Sequence, residues 1–119
     1  MKPTNSEIAE AFSFGNFSIT YPYLADDVKW IIIGDKILHG KENVRGYCDK
    51  TAEYFKTVKT EFRQINIIID KDIIAVNGTA RFIHNENKVT EISSCDIYIF
   101  KDQKLHEITS YCIVTSDKN

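Results

Sequence analysis

The sequence has no surplus of positive charge: fifteen Lys and Arg stand against seventeen Asp and Glu, for a net charge of −2. It therefore lacks the basic stripe that neutralises a phosphate backbone, and nucleic acid is not an expected partner. Cysteine is scarce and odd in number, with Cys48, Cys95 and Cys112 forming no CxxC pair. That argues against a secreted disulfide framework and against a zinc site. Each thiol is expected to behave as a small, reduced, buried apolar residue. The three histidines, His39, His84 and His106, have no HxH or HxxxH spacing, which removes the usual metal pairings. Purely apolar runs are no longer than Trp30 to Ile33, far short of a bilayer span. The polar opening MKPTNSEIAEAF has no apolar stretch of the signal-peptide kind. Phosphate loops, dinucleotide fingerprints and nucleophile motifs are likewise missing. A cytoplasmic location is expected, with no metal, no cofactor and no membrane partner.

What remains is ordinary globular material. The 119 residues are 43% hydrophobic and 27% charged, the size of one domain spanning 1–119. A chain of this length buries roughly two-thirds of its unfolded surface without staples. Thr4 with Glu7 reads as a capping box, followed by Ile8, Ala11 and Phe12 on one helical face and Gly15 as the stop. Pro22 limits Phe17 to Leu24 to short turns. Val28 to Ile33 is β-branched and reads as a strand halted at Gly34-Asp35. After Gly40, positions Val44, Tyr47, Cys48, Thr51, Phe55 and Val58 trace one stripe of a 3.6-residue period.

From residue 59 the pattern changes to strands: Glu61 to Ile69, Ile73 to Ile83, Val89 to Phe100 and Leu105 to Thr115. Polar turns separate them, at Asp70-Lys71-Asp72, Asn85-Glu86-Asn87 and Asp102-Gln103-Lys104. An antiparallel meander is the natural reading. Asn77-Gly78 is a hairpin signal inside the second of these strands; a bulge there is preferred, because it bends the sheet and keeps the apolar residues on both sides usable. Helices first and strands afterwards give an α+β order, with a curved sheet, mixed or antiparallel, wrapping helices packed on its concave face. Such a cone leaves room for a pocket.

Two stretches carry a family likeness. Leu24-Ala25-Asp26-Asp27-Val28-Lys29-Trp30, followed by Leu38-His39-Gly40-Lys41-Glu42-Asn43-Val44, resembles the front half of nuclear transport factor 2-like proteins. Cys95-Asp96-Ile97-Tyr98-Ile99-Phe100-Lys101-Asp102, then Lys104-Leu105-His106-Glu107-Ile108, resembles their last two strands. The likeness is closest to the SnoaL-like branch, named for a polyketide cyclase, with ketosteroid isomerase as a relative. It implies a small homodimer with one deep pocket per subunit. The isomerase works with an aspartate base, a tyrosine donor and a protonated aspartic acid. On this sequence those positions fall on Ile32, Ile8 and Asp96, so steroid isomerisation by that route is not expected. In the cyclases an aspartate on the same strand is the acid–base group, which singles out Asp96. Paired histidines, used by some dehydratases of the superfamily, are not placed together by this sequence.

Asp96 is also unusual by residue type. It lies mid-strand between Cys95 and Ile97, where aspartate is disfavoured, on a face shared with Ser94, Tyr98 and Phe100. Pointing inward, its carboxyl would be raised by burial and suited to proton transfer; the alternatives are a solvent-facing strand residue or a structural hydrogen-bond partner. Trp30 and Ile32 on the first strand, Tyr47 on the main helix, and Ile108, Ser110 and Cys112 on the last strand complete the candidate pocket, with Ser94 and Tyr98. For Trp30 and Tyr47 the core-aromatic reading is favoured over direct ligand contact, and each can do both. His39 is expected in a loop and the other histidines beside turns. Arg81 is expected to face outward unless the bulge at Gly78 switches parity.

Three functions fit. One is a lyase, isomerase or cyclase shuttling a proton through Asp96 next to a carbonyl in an apolar metabolite, with Tyr98 or Ser110 orienting an oxygen. Another is a binding module without chemistry. The third is an assembly domain that dimerises through the outer sheet face, where Ser93, Cys95, Ile97, Ile99, Thr109, Tyr111 and Ile113 fall by parity.

Overall fold

A computed structural model describes residues 2–85 and 88–118. Helix α1 (Asn5–Ser13) begins with a reciprocal cap: Glu7 N donates to Thr4 Oγ1 at 3.1 Å, and Thr4 N donates to Glu7 Oε1 at 2.8 Å. Its apolar face, Ile8, Ala9, Ala11 and Phe12, is buried. Gly15 follows at φ +84, where a Cβ would stand 2.8 Å from the Phe55 ring. A 3₁₀ turn, Ser18–Tyr23, absorbs Pro22 and leads into strand β1 (Leu24–Ile32). Strand β2 (Lys36–His39) and helix α2 (Lys41–Phe55) come next, then β3 (Lys59–Asp70), β4 (Ile73–Ile83), β5 (Val89–Lys101) and β6 (Lys104–Lys118).

The sheet order is β2-β1-β6-β5-β4-β3. Strands β3 to β6 form the expected antiparallel meander, while β1 lies parallel to β6, so the sheet is mixed. Six strands curve without closing, and both helices cover the concave face. Fully buried Leu24, Val28, Val44, Cys48, Leu105 and Ile108 fill the layer between. No helix among the described residues is long and apolar enough to cross a membrane.

Several expected boundaries shift. β1 starts at Leu24 rather than Val28, because Leu24 already pairs with Leu105; the ladder is then irregular until Lys29 meets Glu107, and Asp26 and Asp27 stand exposed in that gap. β2 was not expected: it is a four-residue edge strand, exposed along most of its length and too short to carry a pattern. Val58 lies beyond the end of α2, although its stripe continues the helical period. Asp102 and Gln103 take φ 52 and 63, the two left-handed residues of a tight hairpin turn. In the turn at Asn85-Glu86-Asn87, the last two positions lie outside the described residues.

The bulge is present, but on the partner strand. Gln64 pairs with Gly78 and Asn66 with Asn77, so Ile65 is the extra residue and β4 runs unbroken against β5. A Cβ on Gly78 would lie 2.6 Å from the Arg63 carbonyl oxygen. Glycine is thus needed where the bulged strand crowds inward. Parity along β4 is kept: Ile74, Val76 and Ala80 face in, while exposed Arg81 faces out and bonds Glu61 at 3.2 Å.

Candidate functional site

A cavity of about 260 Å³ opens between the helices and the concave face. Its walls are aromatic. Phe55 stacks on Phe17 and on Phe82, with centroids 6.3 and 5.8 Å apart, and meets Phe62 edge-on. On the other side Trp30 stands edge-on to Phe12 and to Tyr47, at 5.0 and 5.3 Å. A larger depression, about 610 Å³, lies near Lys2, Thr4 and Gln103, and those three polar side chains are exposed. The aromatic cavity is the one that holds a half-buried carboxyl group.

That group is Asp96, placed inward by the period of two in β5 and paired across the ladder with Ser110. Three hydroxyls converge on it, and their polarity follows from donor counting. Ser13 Oγ donates to Asp96 Oδ2 at 2.8 Å, which commits its single proton. The Tyr98 hydroxyl, 2.6 Å from Ser13 Oγ, must then donate to Ser13. Trp30 Nε1 has only a hydrogen to give, so Ser110 Oγ accepts it at 2.9 Å and is left free to turn its own proton toward the carboxylate. Burial raises the Asp96 carboxyl above its ordinary value; the hydroxyls of Ser110, Ser13 and Tyr98 around it oppose that rise without cancelling it. Tyr98 is completely buried, and desolvation first, then the charge of Asp96, hold its phenol protonated. Burial and the neighbouring Asp96 likewise raise the Cys112 thiol, and burial pushes Cys48 up to about 12.

Of the residues singled out by sequence, Trp30, Ile32, Tyr47, Ser94, Ser110 and Cys112 line the cavity together with Asp96. Tyr98 and Ile108 do not. Both are fully buried beneath the wall, Tyr98 because its hydroxyl turns toward Ser13 at the end of α1, Ile108 because it packs into the core under β1. His39 is exposed, and its carbonyl accepts from the Asn43 side chain. His84 bonds Thr90 at 3.2 Å, and His106 lies 3.5 Å from Asp27, so neither enters the cavity. No group of metal-ligating side chains forms among the described residues.

Sequence reasoning missed Ser13. It sits one residue after the apolar face of α1, and a lone serine at a helix end carries no signal of its own. The inward aromatics Phe62 and Phe82 were legible from strand alternation but were not assigned to the wall.

No family model and no curated protein matches the chain. Solved structures do. A nuclear transport factor 2-like protein of unknown function from Cytophaga hutchinsonii is 34% identical, with a TM-score of 0.84 over 91% of this chain and 95% of that one. A putative SnoaL-like polyketide cyclase from Jannaschia shares 10% identity at TM-score 0.72, covering 94% of this chain and 90% of the other. An epoxide hydrolase of M. tuberculosis shares 17% at TM-score 0.69, covering 91% and 81%. At such low identity the last two show a common fold.

Proposed function

The chain belongs to the nuclear transport factor 2-like family, and within it we propose an enzyme that moves a proton on a carbon beside a carbonyl group, with Asp96 as the base. The single observation that supports this is a raised carboxyl in an apolar cavity on which hydroxyl protons converge. A base poised above the ordinary carboxylate range is better matched to weakly acidic carbon than a solvated one. Asp96 takes the proton, the C–H electrons become a new C=C bond while the carbonyl π electrons move onto oxygen, and the resulting enolate accepts a hydrogen bond from Ser94 or Ser110 in the wall. Return of the proton to another carbon completes an isomerisation; expulsion of a neighbouring group completes an elimination. Tyr98, enclosed and committed to Ser13, is a positioning residue rather than the oxygen-orienting group expected from sequence.

The cavity volume falls just below the usual range of about 300–1,000 Å³ for small-molecule sites, which favours a compact substrate of one or two rings. Exchange of α-protons of 2-tetralone in D₂O, followed by NMR, tests the reading. Protein should accelerate exchange over buffer, and Asp96→Asn should remove that acceleration. Undiminished exchange by the variant would take Asp96 out of the mechanism.

We propose a homodimer as well, assembled through the convex face, where Tyr111 and Ile113 are exposed at 44% and 65% in the middle of the sheet. Ile113→Glu should give a monomer by sedimentation if the wild type is a dimer at micromolar concentration; a monomeric wild type would overturn it. This assembly is the basis of a second reading, in which the cavity only binds and the face carries the role. The cytoplasm is the proposed compartment, in keeping with three free thiols.

A further inference from the structure

We propose that the cavity also selects by charge, binding a small organic ammonium ion against Asp96 and rejecting carboxylates of the same shape. The inference shares with the previous reading the cavity as ligand site, but not its reaction. The residues lining the cavity include no Lys, Arg or His. An anion entering it would meet a carboxyl and no countercharge, at the full cost of desolvation. A cation would meet Asp96 at one end and ring faces elsewhere, since seven lining residues are aromatic. Outside the lining, Lys36 Nζ lies 5.1 Å from the centroid of the Tyr47 ring, so one of the wall aromatics already holds a cation.

Cation binding draws Asp96 into its charged form, so one proton leaves when the ligand arrives at a pH where the empty site is protonated. The titratable groups around Asp96 do not blur that event. Tyr98 and Cys95 on β5, Cys112 on β6, and Tyr47 and Cys48 on α2 are all raised by burial and stay neutral. Helix α1 offers Ser13, β1 offers Trp30 and β4 offers Val76 and Ala80, none of them charged. Arg81 and Glu61 pair on the opposite face.

Trp30 is the only tryptophan of the chain and lies in the cavity wall, so its emission reports occupancy directly. Titration with 2-aminotetralin, 2-tetralone and tetralin-2-carboxylate holds the ring frame constant while the charge changes. The amine should bind at least about tenfold more tightly than the carboxylate, with an affinity that climbs as pH rises through the Asp96 titration and falls near the amine's own pKa of about 10. Asp96→Asn should bring the amine to within about twofold of the ketone. Calorimetry of the wild type in buffers of different ionisation enthalpy should register proton release, a readout that needs no variant to fold. Equal affinity for amine and carboxylate, or an amine preference that survives Asp96→Asn, would overturn the inference. Ketone exchange without amine selectivity would sink this inference alone, whereas amine selectivity without exchange would sink only the proton-transfer reading.

Discussion

Ser13 Oγ, at the last position of α1, donates to Asp96 Oδ2 at 2.8 Å across 83 residues of sequence. The contact ties the first helix to the middle of β5, and through it the Tyr98 hydroxyl acts on the carboxylate at second hand. One small hydroxyl thus serves as acceptor for a buried phenol and donor to a half-buried acid.

Ser13→Ala removes both functions. The buried phenol of Tyr98 loses the acceptor it holds, and leaving a buried donor unmade costs about 1–3 kcal/mol. A drop of that size in chemical-denaturation stability is the expected outcome. The Asp96 titration should also move to higher pH, since one of the bonds favouring its charged form is gone. Carboxyl ¹³C chemical shifts followed against pH would register it; a midpoint that stays put or moves lower would contradict the assigned donor direction.

The raised carboxyl carries a stability signature of its own. Its folded pKa lies above the ordinary value of 3.8, so the folded protein holds this proton when the unfolded chain has already lost it. Stability contributed by this group therefore falls as pH rises from the ordinary carboxylate range through the folded pKa. Asp96→Asn, neutral at every pH, escapes that loss. At neutral pH the variant should unfold at higher denaturant than the wild type, and the gap should close on acidification. Thermal melts of the pair between pH 3 and 7 are sufficient. A variant less stable than the wild type at pH 7 would mean that the hydroxyl donors outweigh desolvation.

Gly78→Ala tests the bulge. The added methyl group would meet the Arg63 carbonyl oxygen at 2.6 Å, and its next neighbours, Arg63 C and Gln64 Cα at 3.5 Å, are backbone atoms too. The expected loss is about 1–3 kcal/mol, the scale of overpacking in a filled interior. Deleting Ile65, the unpaired residue opposite, should relieve part of it by straightening β3. Additive losses in the double variant would count against this account.

Element types and order could be read from periodicity because each long element keeps one face in the core: the stripe from Val44 to Phe55, and the alternation along β4. The bulge strand could not. Asn77-Gly78 signals a local irregularity, yet the inserted residue belongs to the neighbour that crowds the glycine, and that is tertiary information. The same division runs through the site. Asp96 stood out as a carboxylate in a strand of apolar neighbours, and most of its cavity companions followed from parity. Tyr98 shares that parity but lies too deep in the cone to reach the cavity. Ser13 depends on how far α1 descends toward β5, which no local pattern encodes.

Trp30→Phe isolates the direction of the hydroxyl network. The phenyl ring can keep the edge-on contacts with Phe12 and Tyr47, so folding should be retained at a cost of about 1 kcal/mol or less for the lost hydrogen bond. What disappears is the one donor that obliges Ser110 Oγ to accept. Ser110 then becomes free to rotate away, and a protonated Asp96 gains an oxygen to which it can donate. Both changes favour the neutral acid over the carboxylate. The Asp96 midpoint should rise relative to the wild type, and any catalysed α-proton exchange should weaken at neutral pH while recovering as pH is raised. Substituting Ser110→Ala on top of Trp30→Phe should add little further shift, because the indole acts through that hydroxyl. A midpoint lowered by Trp30→Phe, or a large additional shift from the second substitution, would show that indole and serine act on the carboxylate independently.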